Sequence, residues 1–393
     1  VPASIRTRAA PRRHAAPAPL LSTRALNRAL LARQLLLRRV RLAPEAALTR
    51  LCGLQSQNPP SAYVALWSRL AGFDPERLSA LLVARRAARI ALLRSTVHLV
   101  TARDALALRP LVQARLDREL GAVERTRALR GVDRGKLVAV AEEALRSGPL
   151  TAEALRAALV ARFPSRDPAA LLRAVRSLLP LVQVPPRGLW GQGGQVRLAH
   201  ASAWLLAAAA LEANDAAAAA PPAPSLDDLL VRYLAAFGPA SPVDAQTWSG
   251  LTGLAEAFAR LRPRLRTFRD EHGRELLDLP RAPRPDPATH APVRFLPDYD
   301  NALLSHVDRR RIVCDPHRRV LARPNGALPG TVLVDGFVRA TWRVERDGPR
   351  ATLAVKPLED LSREELAEVK DEGLRLVGFL AGGATVRSVR VDG

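Results

Sequence analysis

The chain has 393 residues, 48% of them hydrophobic and only 4% aromatic, so its length exceeds one ordinary core and implies two to four mainly helical modules packed with Leu, Ala and Val. Its formal charge is +22, with Lys only at 136, 356 and 370 and Arg elsewhere, an excess that points to a polyanionic partner. Two distant cysteines, Cys52 and Cys314, exclude a disulfide framework and a cysteine zinc site and fit a cytoplasmic protein, and no run of 18 apolar residues exists to span a membrane.

Residues 1–22 hold Pro, Ala and Arg without an acid, lack the apolar core of a secretory signal, and read as a disordered tail. Three units of one grammar follow, each with helices and then a hairpin. The first unit (23–130) opens on a helix whose Leu26, Leu30, Leu31, Leu35 and Leu37 share a face. Helices are expected at 44–53, 59–72 and 74–86, then strands at 90–93 and 97–100 around Arg94, Ser95 and Thr96. In the second unit (131–220), Thr151 is the expected N-cap of a helix, and another helix covers 168–179. Strands at 181–184 and 196–198 flank Pro185, Pro186 and a Gly-rich turn at 191–194. An Ala-rich helix then runs into a Pro-rich linker.

The third unit (221–291) has a helix capped by Ser225 and ending near Gly238, a second opened by Ser241 and Pro242, and a third at 251–261. Strands at 265–268 and 275–279 close it. Helix, helix, helix, hairpin is the winged-helix plan, whose third helix can enter a DNA major groove while the hairpin touches the backbone. Beyond 292 the texture changes to strands at 331–334, 337–344, 351–355 and 385–391, with one helix from Ser362 to about Leu380, a small curled sheet or partial barrel. The expected fold class is mainly α with β (α+β), as three tandem winged-helix modules plus a C-terminal β-barrel-like domain at 292–393.

One segment offers chemistry: Leu51-Cys52-Gly53-Leu54-Gln55-Ser56-Gln57-Asn58-Pro59-Pro60. Gly53 is a plausible helix stop, and Pro59 biases Asn58 away from helix. In an extended stretch Gln55 and Gln57 face the same side, whereas on a helix they diverge by about 200°. Two carboxamides are not strong bases, but they can hold a water by donating and accepting hydrogen bonds. That suffices when the leaving group departs easily, as from an N-alkylated purine that already carries positive charge. The same residues also suit an ordinary polar loop. Near the first hairpin, Arg94 is a candidate phosphate ligand. Asp298, Asp300, His306 and Asp308 form an acid–histidine cluster of metal-ligand type, for which ion pairing with Arg309, Arg310 and Arg311 is the favoured reading.

The run 51–57, followed by Ala62-Tyr63-Val64-Ala65-Leu66-Trp67-Ser68-Arg69-Leu70, resembles the winged-helix DNA glycosylases of the AlkZ-like family. So do Leu93-Arg94-Ser95-Thr96-Val97-His98-Leu99-Val100, Phe295-Leu296-Pro297-Asp298-Tyr299-Asp300-Asn301 and Thr331-Val332-Leu333-Val334-Asp335-Gly336. The likeness runs from about residue 24 to 391. It implies three winged helices curved around a C-terminal β-barrel and a catalytic Gln-x-Gln signature at Gln55 and Gln57. Ser56 departs from the aliphatic middle residue usual there. It further implies that Thr96 and His98, with Arg94 and Asn58, support DNA or water contact.

The implied activity is monofunctional excision of cationic N7- or N3-alkylated purines from double-stranded DNA, extending to bulky adducts and interstrand crosslinks. It needs no metal or cofactor and is performed by a monomer in a bacterial cytoplasm. General base excision repair and self-resistance in a toxin producer both remain open. The alternatives are a non-enzymatic winged-helix transcription regulator, which needs no glutamine pair, and a damage-binding protein without activity.

Overall fold

The structure, a computed structural model, describes residues 18–124, 128–212, 224–323 and 326–392. Helix (46%) outweighs strand (20%), as an Ala-, Leu- and Arg-rich chain predicts. Most helices begin where the local chemistry places them. Thr151 accepts from the Ala154 N–H at the start of Ala152–Arg162. Ser225, Ser241 and Ser362 each close a reciprocal capping box with an acid three residues on.

Two of the three hairpins merge. Strands Ala87–Ala91 and Val97–Thr101 pair antiparallel, as do Leu181–Val184 and Arg197–His200. Arg89 pairs with Gln183 and Ile90 with Val182 across them, which joins both hairpins into one six-stranded sheet. The short strands Leu54–Gln55 and Leu150–Thr151 form its edges. The third hairpin, Arg266–Asp270 with Glu275–Asp278, gains Leu20–Leu21 as a parallel third strand. The expected disordered tail is therefore corrected at its end, because Leu20 and Leu21 pair with Arg269 and Asp270 and Ser22 caps helix Thr23–Arg33. The rest of that tail, 1–17, lies outside the described residues, as do residues 213–223, which hold the end of the Ala-rich stretch and most of the Pro-rich linker.

The expected C-terminal barrel is also corrected. Arg294–Leu296, Gly330–Val334, Phe337–Asp347, Arg350–Pro357 and Val386–Val391 form an open five-stranded sheet in that order. Its last strand returns parallel to its neighbour through the long helix Arg363–Leu380, and a parallel pair needs such a crossover. That helix buries Val369, Leu376 and Val377 against the sheet, so one face is covered by helix and the two edge strands stay apart.

One apolar core runs through Leu30, Ile90, Val182, Tyr233, Trp248, Leu296 and Val338 and so ties all these parts together. Charged braces supplement it. Arg33 forks onto Asp278 and Arg69 onto Asp300, all four fully enclosed. No described helix is long and apolar enough to cross a membrane.

Candidate active site

Helix Pro44–Arg50 ends in a left-handed turn at Cys52 and Gly53, with φ of 56° and 82°. A side chain at Gly53 would meet Val100 Cγ1 at 2.5 Å, so glycine lets the chain dock flat on the hairpin. Leu54 and Gln55 then pair with Leu99 and His98. Ser56 extends the pairing by donating its N–H to Val97 O at 2.8 Å. Gln57 Oε1 accepts from the Val97 N–H at 3.2 Å. The segment is thus extended, as expected, and it forms the edge strand of the first hairpin.

Its side chains divide accordingly. Ser56 is fully buried beside Arg89, which donates to its carbonyl at 2.9 Å. Gln55 is also buried, at 6% exposure, because the sheet sets it opposite His98. Its Oε1 accepts from Arg94 Nη2 at 2.7 Å. Gln57 is exposed and opens onto a basin of about 340 Å³ lined by Ser95, Arg156, Arg173, Arg176 and Glu119 among others. Asn58 is exposed too, and its amide donates to Asp298. The two carboxamides therefore do not stand equally open: one is held inside and the other meets solvent.

Arg94 turns toward the glutamine segment. Its guanidinium donates to Trp248 O at 2.6 Å, to Gln55 Oε1 and to Asn301 Oδ1 at 2.8 Å. It faces neutral oxygens only, and burial together with Arg309 lowers its pKa to about 10. The tip that carries it is left-handed at both Arg94 and Ser95, with φ of 54° and 61°. Such conformations persist only where the surroundings enforce them.

His98 is fully buried. Its Nδ1 donates to Thr96 O at 3.0 Å, so the ring carries its proton there. Burial, reinforced by Arg94, lowers its pKa to about 3. Nε2 has no hydrogen-bond partner among the described residues. Thr96 is half-buried, and its hydroxyl donates to Leu93 O.

The acid–histidine cluster is dispersed into braces. Asp300 holds Arg69, Asp308 holds Arg310 and Arg274, and buried His306 faces Phe237 O. Among the described residues, no group of three or more His, Cys, Asp or Glu could hold a metal ion. Two members of the 295–301 motif reach the glutamine segment instead. Asn301 binds Arg94 and donates to Gly53 O at 3.3 Å, and Asp298 accepts from Asn58 and Ser61. Asn301 and, as a partner of Asn58 rather than a metal-type ligand, Asp298 join the site, as does Arg89. The first two lie in a motif that had drawn attention, but nothing local linked it to residues about 240 positions earlier.

On the other side of Asn58 lies the larger cleft, about 1090 Å³, walled by Trp190, Trp342 and Phe379 with Arg187, Arg346 and Asp298 at its margin.

A family model described as DNA glycosylase AlkZ-like matches residues 48–379. Among solved structures, the DNA glycosylase AlkZ of Streptomyces sahachiroi is similar, with a TM-score of 0.73 at 20% identity, covering 94% of this chain and 99% of that one. No curated protein matches. The family match spans the whole constellation from Gly53 to Asn301.

Proposed function

The chain belongs to the AlkZ-like DNA glycosylase family, so DNA is its partner, and we propose that it hydrolyses the N-glycosidic bond of cationic N7- and N3-alkylated purines in duplex DNA. Family membership speaks against the non-enzymatic regulator. The observation that carries the proposal is the pairing of an exposed Gln57 carboxamide, opening onto an arginine-lined basin, with a Gln55 carboxamide fixed by Arg94.

In this reading the alkylated base leaves as a neutral purine, taking the C1′–N bonding electrons and leaving an oxocarbenium-like sugar. Gln57 Oε1 is anchored by the Val97 N–H, and its amide N–H groups remain to donate to a water. Gln57 and Gln55 orient a water whose oxygen bonds to C1′ and whose proton passes to solvent. The leaving group needs no acid, so positioning and fixed dipoles supply the catalysis. The products are free base and an abasic site. No amine is assigned to lyase chemistry, since Lys136, the nearest lysine in sequence, stands in a separate helix, Arg134–Leu145.

Three winged-helix units, at 23–130, 131–220 and 221–291, form the DNA-facing scaffold in this proposal, acting as a monomer with Thr96 and Asn58 at the site's edge. The aromatic cleft beside Asn58 offers room for a bulky adduct or one arm of a crosslink.

The test is incubation with duplexes containing N7-methylguanine or a nitrogen-mustard crosslink, followed by alkali. Strand breaks at the lesion are expected, and Gln55→Ala and Gln57→Ala should lose them while still binding DNA. Lesions left intact across several alkyl adducts would overturn the proposal.

A further inference from the structure

The chain has so many arginines that none can be assigned a partner from sequence. The fold singles out a few. Helix Pro168–Leu178 of the second unit carries Arg173 and Arg176, three residues apart and so on one face. Both line the basin onto which Gln57 opens, with Arg156 from helix Ala152–Arg162. Arg156 Nε donates to its own helix at Ala152 O. Arg173 and Arg176 make no side-chain hydrogen bond or ion pair among the described residues. The single acid in the basin, Glu119, is shared with Arg115 at 3.7 Å.

The positive field continues beneath the segment. Arg89 is 2% exposed, has no carboxylate partner, and leaves Nη1 without a hydrogen-bond partner among the described residues. Burial lowers its pKa to about 10, and neighbouring Arg187 and Arg176 push the same way. Burial also lowers that of Arg176. Desolvated cations clustered without acids destabilise a fold unless an anion completes them. The surrounding sheet and helices hold them there regardless, beside the exposed Gln57 carboxamide.

We propose that Arg156, Arg173 and Arg176 form the seat of a backbone phosphate of the lesion strand, adjoining the nucleotide whose C1′ faces Gln57. Guanidinium forks match the two non-bridging oxygens of a phosphodiester. A phosphate fixed there sets the depth and angle at which the sugar meets Gln57. It also makes the second unit part of the active site, because it donates the grip while the first donates the glutamines. These arginines act as positioning residues. The assignment rests on the glycosylase reading for the identity of the neighbouring sugar.

The experiment is a binding measurement on duplex DNA containing one N7-methylguanine, so its result stands whether or not excision is observed. Arg173→Gln, at an exposed position, and the double variant Arg173→Gln/Arg176→Gln are compared with the wild type across a salt series. The slope of log affinity against log salt should flatten by about 1 in the double variant, the loss of one phosphate contact, and by less in Arg173→Gln. Single methylphosphonates are then placed at each phosphate within two nucleotides of the lesion. At one position the neutral linkage should weaken wild-type binding roughly tenfold, and it should cost the double variant nothing further. Unchanged salt slopes, or additive losses at every linkage, would overturn the assignment. Gln57→Ala should leave both slope and scan unaltered. Loss of excision there with an intact phosphate response supports both readings, whereas an intact phosphate response without wild-type excision sinks only the reaction.

Discussion

Arg94 and Gln55 lie 39 residues apart, yet the guanidinium of one meets the carboxamide oxygen of the other at 2.7 Å. The contact exists because the Gly53 turn lays Gln55 against the hairpin and the left-handed tip folds Arg94 back over it. Arg94→Ala should therefore free the Gln55 amide to rotate. A hydrogen bond to a charged group contributes about 1.5–3 kcal/mol, so excision should slow roughly 10- to 150-fold with DNA affinity little changed. Single-turnover excision of N7-methylguanine beside a binding isotherm checks this, and a loss confined to affinity would restore Arg94 to phosphate binding.

Asn301 should behave as part of the same unit. It accepts from Arg94 Nη2 and donates to Gly53 O, bracing the tip and the turn together. Asn301→Ala is expected to lower the excision rate, and combining it with Arg94→Ala should cost clearly less than the sum of the two single losses. Strict additivity in that double-mutant cycle would show that the two act separately.

The aromatic cleft should set tolerance for adduct size. Trp342 anchors its indole N–H on Leu296 O at 2.8 Å and presents a half-buried ring to the cleft beside Trp190 and Phe379. Trp342→Ala should leave N7-methylguanine excision within about twofold and slow removal of a bulky aromatic N7 adduct roughly 5- to 150-fold, since one ring contact is worth roughly 1–3 kcal/mol. Equal slowing of both substrates would remove the cleft from lesion recognition.

Acid should weaken the fold through two buried histidines. His98 and His306 are buried with pKa values lowered to about 3, mainly by desolvation, from 6.5 when exposed. Between those limits the folded state keeps both rings neutral while the unfolded chain protonates them. Stability is thus fully present above about pH 6.5 and falls as pH drops toward 3. Urea midpoints should decline across that window, and His98→Gln should flatten part of the decline. For the same reason the excision rate should show no inflection from His98 near pH 6.5.

The Arg33–Asp278 pair should prove costly to break. Both side chains are fully enclosed, and Arg284 adds a second cation to the same carboxylate. Arg33→Met leaves that carboxylate with less compensation and should cost about 3–5 kcal/mol, read as a lowered urea midpoint. An unchanged midpoint would mean that Arg284 alone satisfies Asp278.

Local chemistry was legible in the chain itself. Serine or threonine ahead of an apolar-periodic run marked the starts of helices at 152, 226, 242 and 363, because a cap is satisfied within three residues. Hairpins expected from paired apolar runs at 90–100, 181–198 and 265–279 form at 87–101, 181–200 and 266–278, and Gly53 with Pro59 marks the extended glutamine segment. Sequence by itself thus determined where elements begin and which few residues carry unusual chemistry. Only the tertiary structure decided their partners. It buried Gln55 and exposed Gln57, set Arg94 on the Gln55 carboxamide, fused two hairpins through Arg89 and Gln183, and left the C-terminal sheet open. These outcomes depend on contacts between residues tens to hundreds of positions apart. No periodicity or cap encodes such contacts, because burial and pairing are properties of the assembled core.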